Sequence, residues 1–115
     1  MLKLLKFNIK SLHAHNSFFF STKIGIPKET FTNEKRVSVS PEGVSKLKKL
    51  GYDVLVEKDC GVDSDFTNAL YEKNGAQITD DPYVADVILK VRAPNEKEIK
   101  KIKKNSSLIS FLWPG

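Results

Sequence analysis

The chain has one cysteine and two histidines among 115 residues. A single thiol excludes an internal disulfide framework and any cysteine-rich zinc site. His13 and His15 both precede residue 23, so the body of the chain has no imidazole for acid–base work or metal binding. Ser–His–Asp and Cys–His catalysis are excluded there for the same reason. The six glycines, at positions 25, 43, 51, 61, 75 and 115, are too scattered for a GxGxxG turn. That turn needs closely spaced glycines to let backbone approach a pyrophosphate. The P-loop pattern is missing too. No apolar run reaches the roughly 18 residues of a membrane span. Residues 1–22 contain no acid.

What is present is ordinary for a folded domain. Hydrophobic residues make up 40% and charged residues 29%, values that argue against wholesale disorder. The length suits one domain and is too short for a cofactor domain plus a substrate domain. Of the net charge of +5, three units come from Lys3, Lys6 and Lys10. The pI of 9.3 therefore reflects mainly the first 22 residues, and no nucleic-acid partner is expected from it.

Residues 1–22 place Leu2, Leu5, Ile9 and Leu12 on one helical face and the three lysines on the next. A short basic amphipathic helix, rich in Ser and free of acid, fits an organelle-targeting presequence. Lysines interrupt every apolar core a secretory signal would need. Mitochondrial import, on the matrix side of the inner membrane, is the expected destination, although the usual arginines are missing. A disordered leader is the plainer alternative.

From residue 23 onward the pattern alternates. Lys23–Ile26 reads as a strand stopped by Pro27. A helix from Pro41 to Leu50 has Ser40 as its cap and Gly51 as its stop. Asp53–Glu57 is a strand with Val54 and Val56 on one side. Thr67 to Asn74 is a second helix, with Asp65 as a candidate cap. Gln77–Ile78 is a short strand, and Pro82 to Ala85 makes one helical turn. Asp86–Val91 is a compact apolar strand. Asn95 to Lys104 is a helix with Ile99 and Ile102 inward, and Ser107–Trp113 is the last strand. Near-continuous runs such as Val87-Ile88-Leu89 mark strands covered on both faces. The expected fold is therefore α/β: three layers, a mostly parallel, doubly wound sheet with flanking helices.

Three runs carry chemistry. In KIGIPKETFTNEKRVSVSPEGV, at 23–44, a strand ends at a proline, an NEKR loop follows, and a second strand of alternating Val and Ser leads into a capped helix. Arg36 lies beyond the first strand, where such sheets present their ligand-binding edge. A guanidinium there can hold a carboxylate or phosphate, or it is a surface arginine paired with Glu34 or another acid. In DVILKVRAP, at 86–94, Lys90 interrupts an apolar strand and must reach the strand's end or find a partner. In SLISFLWPG, at 107–115, Trp113 suits a core or subunit contact better than a cofactor platform. Cys60 beside Gly61 reads as packing. The lysines of NEKEIKKIKK read as a solvated helix face, with an acidic-partner module as the competing reading.

Together, IGIPKE…NEKRVSVSPEGV, LVEKDCG, YEKNGAQI, ILKVRAP and SFLWPG resemble the start of the α subunit of proton-translocating NAD(P) transhydrogenases, in the alanine dehydrogenase/transhydrogenase superfamily. The resemblance covers residues 23–115. It implies an incomplete Rossmann-like or flavodoxin-like N-terminal lobe. In alanine dehydrogenases an arginine and a lysine matching Arg36 and Lys90 bind the substrate, and a histidine assists the redox step. Trp113 stands where that histidine would be, and Trp-Pro there resembles transhydrogenases. The complete enzyme would pass hydride between NAD(H) and NADP(H), coupled to proton movement. The resemblance implies that the glycine-rich NAD lobe, the membrane component and the NADP-binding component are partners outside these residues, in an assembly expected to be homodimeric. Neither cofactor would be bound tightly here, and no catalytic residue is assigned. Arg36 and Lys90 are the expected cleft-facing positions.

Overall fold

A computed structural model describes residues 2–4 and 21–111. Lys23–Ile26 (β2), Asp53–Glu57 (β3), Gln77–Thr79 (β4), Val87–Leu89 (β5) and Ser107–Phe111 (β6) form one parallel sheet. Leu2–Leu4 (β1) adds an antiparallel strand on β6, with Leu2 opposite Phe111 and Leu4 opposite Ile109. The order across the sheet is β1-β6-β5-β2-β3-β4. The helices are Pro41–Lys49 (α1), Asn68–Lys73 (α2) and Glu96–Lys101 (α3), with short 3-10 turns at Val62–Ser64 and Pro82–Val84. The three-layer, mostly parallel architecture matches the expectation.

Two apolar clusters flank the sheet. Alternation along β3 sends Val54 and Val56 to one cluster and Leu55 to the other. The first gathers Ile26, Val44, Tyr71 and Ala76 under α1 and α2. The second gathers Tyr83, Ala85 and Ile88, with Ile102 and Leu108 packed against it. Gly25 lies where β2 and the Pro82 turn approach closely. A Cβ there would meet the Pro82 carbonyl at 2.2 Å and the Ala85 and Ile88 side chains at 3.0 Å.

Local signals explain the helices. The Ser40 hydroxyl accepts from the Gly43 N–H at 3.1 Å, and Pro41 opens α1. Gly51, at φ 96°, supplies the left-handed residue after it. Asn95 and Glu98 form a reciprocal capping box on α3.

Four expectations are corrected. The basic helix over residues 1–22 gives way at Leu2–Leu4 to a strand, because β6 offers unpaired backbone groups and a short helix is marginal in water. The rest of that segment lies outside the described residues. The Val–Ser strand at 37–40 is an irregular segment with bends at Ser38 and Val39, and β3 and β5 already occupy both edges of β2. Its groups pair singly instead: the Ser38 hydroxyl donates to the Leu89 carbonyl and the Tyr71 hydroxyl to that of Val39. Asp65 takes a left-handed conformation after a 3-10 turn, and Thr67 caps α2 in its place. Ile99 is 55% exposed, because the inward place of α3 goes to buried Glu98, whereas Ile102, just past the helix, packs against the second cluster.

Candidate functional site

In an open parallel sheet, ligands gather beyond the carboxyl ends of strands, where the chain departs in opposite directions from neighbouring strands. Here that place lies between β2 and β5. From β2 the chain runs through α1 to β3 on one side, whereas β5 leads through α3 to β6 on the other. The two loops leaving this point are Pro27–Arg36 and Lys90–Asn95. They hold Glu34, Arg36 and Lys90, the charged residues discussed in the first two runs.

Glu29 joins the two loops. Its carboxylate accepts from the Lys90 Nζ at 3.1 Å, the Val91 N–H at 2.8 Å and the Arg92 N–H at 3.0 Å. Lys90 also meets Glu98 Oε2 at 2.9 Å. The Lys90 and Glu29 side chains are each only 1% exposed. Glu98 receives two more donors, the Tyr83 hydroxyl at 3.1 Å and the Asn95 N–H at 3.0 Å. This is how the strand tolerates a lysine. The ammonium finds two carboxylates, and each carboxylate finds backbone donors as well. Among the described residues no buried side-chain polar atom lacks a partner.

Glu34 makes the second junction, nearer the surface. Arg36 donates to it through Nε and Nη2, both at 2.8 Å, and through its backbone N–H at 2.9 Å. Arg92 donates from Nε to the same carboxylate at 2.7 Å. The Arg92 guanidinium also lies over the Phe31 ring, 4.4 Å from its centroid. The Arg36 side chain is 63% exposed and that of Arg92 23%.

Electrostatics follow from these contacts. The Arg36 hydrogen bonds, with help from Arg92, hold the Glu34 carboxyl far below the usual carboxylate range. Burial alone would raise Glu98, yet the Asn95 N–H, the Lys90 ammonium and the Tyr83 hydroxyl bring it below its ordinary value. Burial and the Glu98 charge push the Tyr83 phenol well up. At the end of β3, burial raises Glu57 despite the Lys28 N–H it accepts at 3.2 Å and the charges of Lys101, Lys28 and Lys90. Burial pushes the Cys60 thiol up to about 12, which makes it an unreactive packing residue.

The structure thus brings Arg36 and Lys90 to the same end of the sheet but onto different carboxylates. Arg36 takes the surface pairing with Glu34 that the sequence left open. Glu29, Glu98 and Arg92 were not among the sequence candidates. The signal for Glu29 was available: a lysine inside an apolar strand demands an acid, and Glu29 follows the neighbouring strand by three residues. Trp113 lies outside the described residues. No group of His, Cys, Asp and Glu suited to a metal occurs among the described residues. The chain offers no glycine-rich turn, and the N-termini of α1 and α3 are capped by its own side chains. The two loops hold the Arg36 and Arg92 guanidinium groups on Glu34, beyond the carboxyl ends of β2 and β5.

Comparison with known proteins bears on the wider assignment. The family model described as "Alanine dehydrogenase/PNT, N-terminal domain" matches residues 25–115. The chain is 39% identical over 92 residues to the NAD(P) transhydrogenase subunit alpha of Haemophilus influenzae, covering 78% of this chain and 18% of that protein. It is 41% identical over 91 residues to alanine dehydrogenase 1 of Staphylococcus aureus, covering 77% of this chain and 24% of that one. Among solved structures, an L-alanine dehydrogenase superposes with a TM-score of 0.75 at 31% identity, over 79% of this chain and 26% of that one. A transhydrogenase from Sinorhizobium meliloti superposes with a TM-score of 0.71 at 44% identity, over 73% and 26%. The chain spans about a fifth to a quarter of the length of these relatives.

Proposed function

The chain belongs to the alanine dehydrogenase/PNT family as an N-terminal domain, and from that premise we propose that it is the first part of the NAD(H)-binding component of a proton-translocating NAD(P) transhydrogenase. The family's named members are oxidoreductases of both kinds, transhydrogenases and alanine dehydrogenases. The observation that carries the choice between them is Trp113-Pro114 in the last strand's run. An alanine dehydrogenase would place its proton-transferring histidine there, and the body of this chain has none. The 44% identity to the Sinorhizobium meliloti transhydrogenase, against 31% to the L-alanine dehydrogenase structure, points the same way.

In this reading the crevice between β2 and β5 is one wall of the cofactor cleft, and Arg36 and Lys90 belong to that wall. The remaining lobe supplies the glycine-rich turn. The membrane and NADP-binding components and a second copy complete the assembly. NAD and NADP are cofactors of that complete enzyme. The hydride exchange is theirs to carry out, and this chain's contribution is shape, charge and exclusion of water. Residues 1–22 direct import into mitochondria, which fusion of that segment to a fluorescent reporter tests: a reporter that stays in the cytosol removes the proposal.

The 41% identity to the Staphylococcus aureus enzyme supports the second reading, an alanine dehydrogenase-like oxidoreductase. One experiment separates them. The complete protein that carries these residues is assayed for hydride transfer from NADPH to an NAD analogue, and in parallel for alanine-dependent reduction of NAD. Transfer between nucleotides without alanine oxidation is expected. Alanine oxidation without nucleotide exchange reverses the assignment.

A further inference from the structure

We propose that Ser64, on the 3-10 turn after β3, is a positioning residue for Arg36: its hydroxyl fixes the peptide plane from which the Arg36 side chain departs. The proposal rests on the reading of Arg36 as part of the cleft wall and assigns it no ligand.

The peptide between Lys35 and Arg36 is held at both ends. Its carbonyl accepts from the Ser64 hydroxyl at 2.6 Å, and its N–H donates to Glu34 Oε1 at 2.9 Å. The same carboxylate takes the Arg36 Nε and Nη2, both at 2.8 Å. Rotation of that one plane would withdraw the backbone donor from Glu34 and re-aim the side chain. Two residues on, the Ser38 hydroxyl donates to the Leu89 carbonyl at 2.8 Å. Pairing of β2 with β5 ends at Gly25 and Ile88, so Ser38 meets a carbonyl beyond that ladder. Two hydroxyl contacts thus anchor the segment on either side of Arg36, one to the β3 loop and one to β5.

The β3 loop is the firmer partner. The Ser64 and Phe66 N–H groups donate to the Gly61 carbonyl at 3.0 and 2.8 Å, and the Asp65 N–H donates to that of Val62 at 3.0 Å. Gly61 permits this packing: a Cβ there would lie 2.7 Å from the Phe66 Cβ and 2.9 Å from the Tyr71 ring. Asp59 and Asn68 close the base of the loop. The Asp59 N–H donates to Asn68 Oδ1 at 2.9 Å, and Asn68 Nδ2 donates to Asp59 Oδ1 at 2.8 Å. Lys35 and Arg36, by contrast, are exposed and belong to no helix or strand. A donor carried on the firmer loop therefore sets the position of the more open one, as a supporting shell does for a functional side chain.

The test is hydrogen exchange of the 115-residue chain, followed by NMR in the parent, S64A and S64T. S64A should speed exchange of the Arg36 backbone N–H and Nε–H about fivefold, the scale of one lost neutral hydrogen bond. The Phe66 N–H, which belongs to the turn alone, should keep its rate, and Tm should change little. S64T retains the hydroxyl and should restore the Arg36 rates. Unchanged Arg36 rates in S64A, a rise at Phe66 as large as that at Arg36, or no restoration by S64T overturns the proposal. In the complete protein, S64A should raise KM for NAD(H) about fivefold and leave kcat nearly unchanged. If the exchange rates respond and KM does not, Ser64 still positions Arg36 and the cleft-wall reading falls, so the two fail separately.

Discussion

Two buried carboxylates tied to one lysine make the crevice sensitive to single side chains in unequal ways. Lys90→Met leaves Glu29 and Glu98 facing each other without a counter-ion and should cost about 3–5 kcal/mol. Glu29→Gln leaves Lys90 on Glu98 and keeps one carbonyl acceptor, so it should cost less, about 1–3 kcal/mol. Urea denaturation of the two variants measures both. Equal losses would mean that Glu98 does not share the ammonium. Glu34 predicts a pH effect. Its folded carboxyl lies far below the ordinary value of 4.5, so its contribution is complete above that value and declines as the pH falls beneath it. Glu57 is shifted the other way, so its contribution is complete below 4.5 and is lost as the pH rises through its raised value. Stability measured from pH 7 down to pH 3 should therefore fall less steeply in Glu34→Gln than in the parent chain, and more steeply in Glu57→Gln.

Elements that answer to local chemistry were legible in the sequence. The α1 start at Ser40-Pro41 and the β3 alternation of Val54, Leu55 and Val56 depend on residues a few positions apart. Ser40→Ala should therefore cost about 1 kcal/mol in thermal or urea unfolding. Gly25→Ala tests something the sequence did not show. The close approach of β2 to the Pro82 turn exists only once the layers have packed, and overpacking there should cost about 1–3 kcal/mol. A variant as stable as the parent would mean that this turn yields freely. What local reading missed has a common cause. The inner face of α3 was assigned to Ile99 because apolar residues normally mark such faces. Glu98 holds that place instead, since Lys90 waits beneath it. Alternating valine and serine at 37–40 suggested a strand, but strand formation needs a free edge, and β2 has none. Glu29, the residue that joins the crevice, has its partner 61 positions away, and no periodicity carries that distance.

At the scale of the whole molecule, fold and function separate. The sheet has the topology of a cofactor domain, but the six glycines are spread from Gly25 to Gly115, and no turn among them can cradle a pyrophosphate. The purified 115-residue chain should therefore show no hydride transfer between nicotinamide nucleotides, as followed by absorbance with an analogue acceptor. Turnover above the uncatalysed rate would contradict that. The surface bears on stability as well: Phe31, Leu50, Val84, Ile99 and Phe111 are each at least half exposed. Light scattering during heating should show association of the isolated chain, whereas a reversible transition in a monomer would show that these side chains are harmless.

The carboxylate that bridges the two loops also sets an order of events during synthesis. Glu29 leaves the ribosome 61 residues before Lys90. The unit from β2 through β4, with α1 and α2, can assemble in that interval around its own apolar cluster. Until Lys90 and then Glu98 emerge, however, the Glu29 carboxylate has no reason to leave water. The junction between the two loops thus closes only after the β2–β4 unit can have assembled. A nascent chain stalled just short of Lys90 should have a protected β2–β3 pair and a protease-sensitive loop between Pro27 and Arg36.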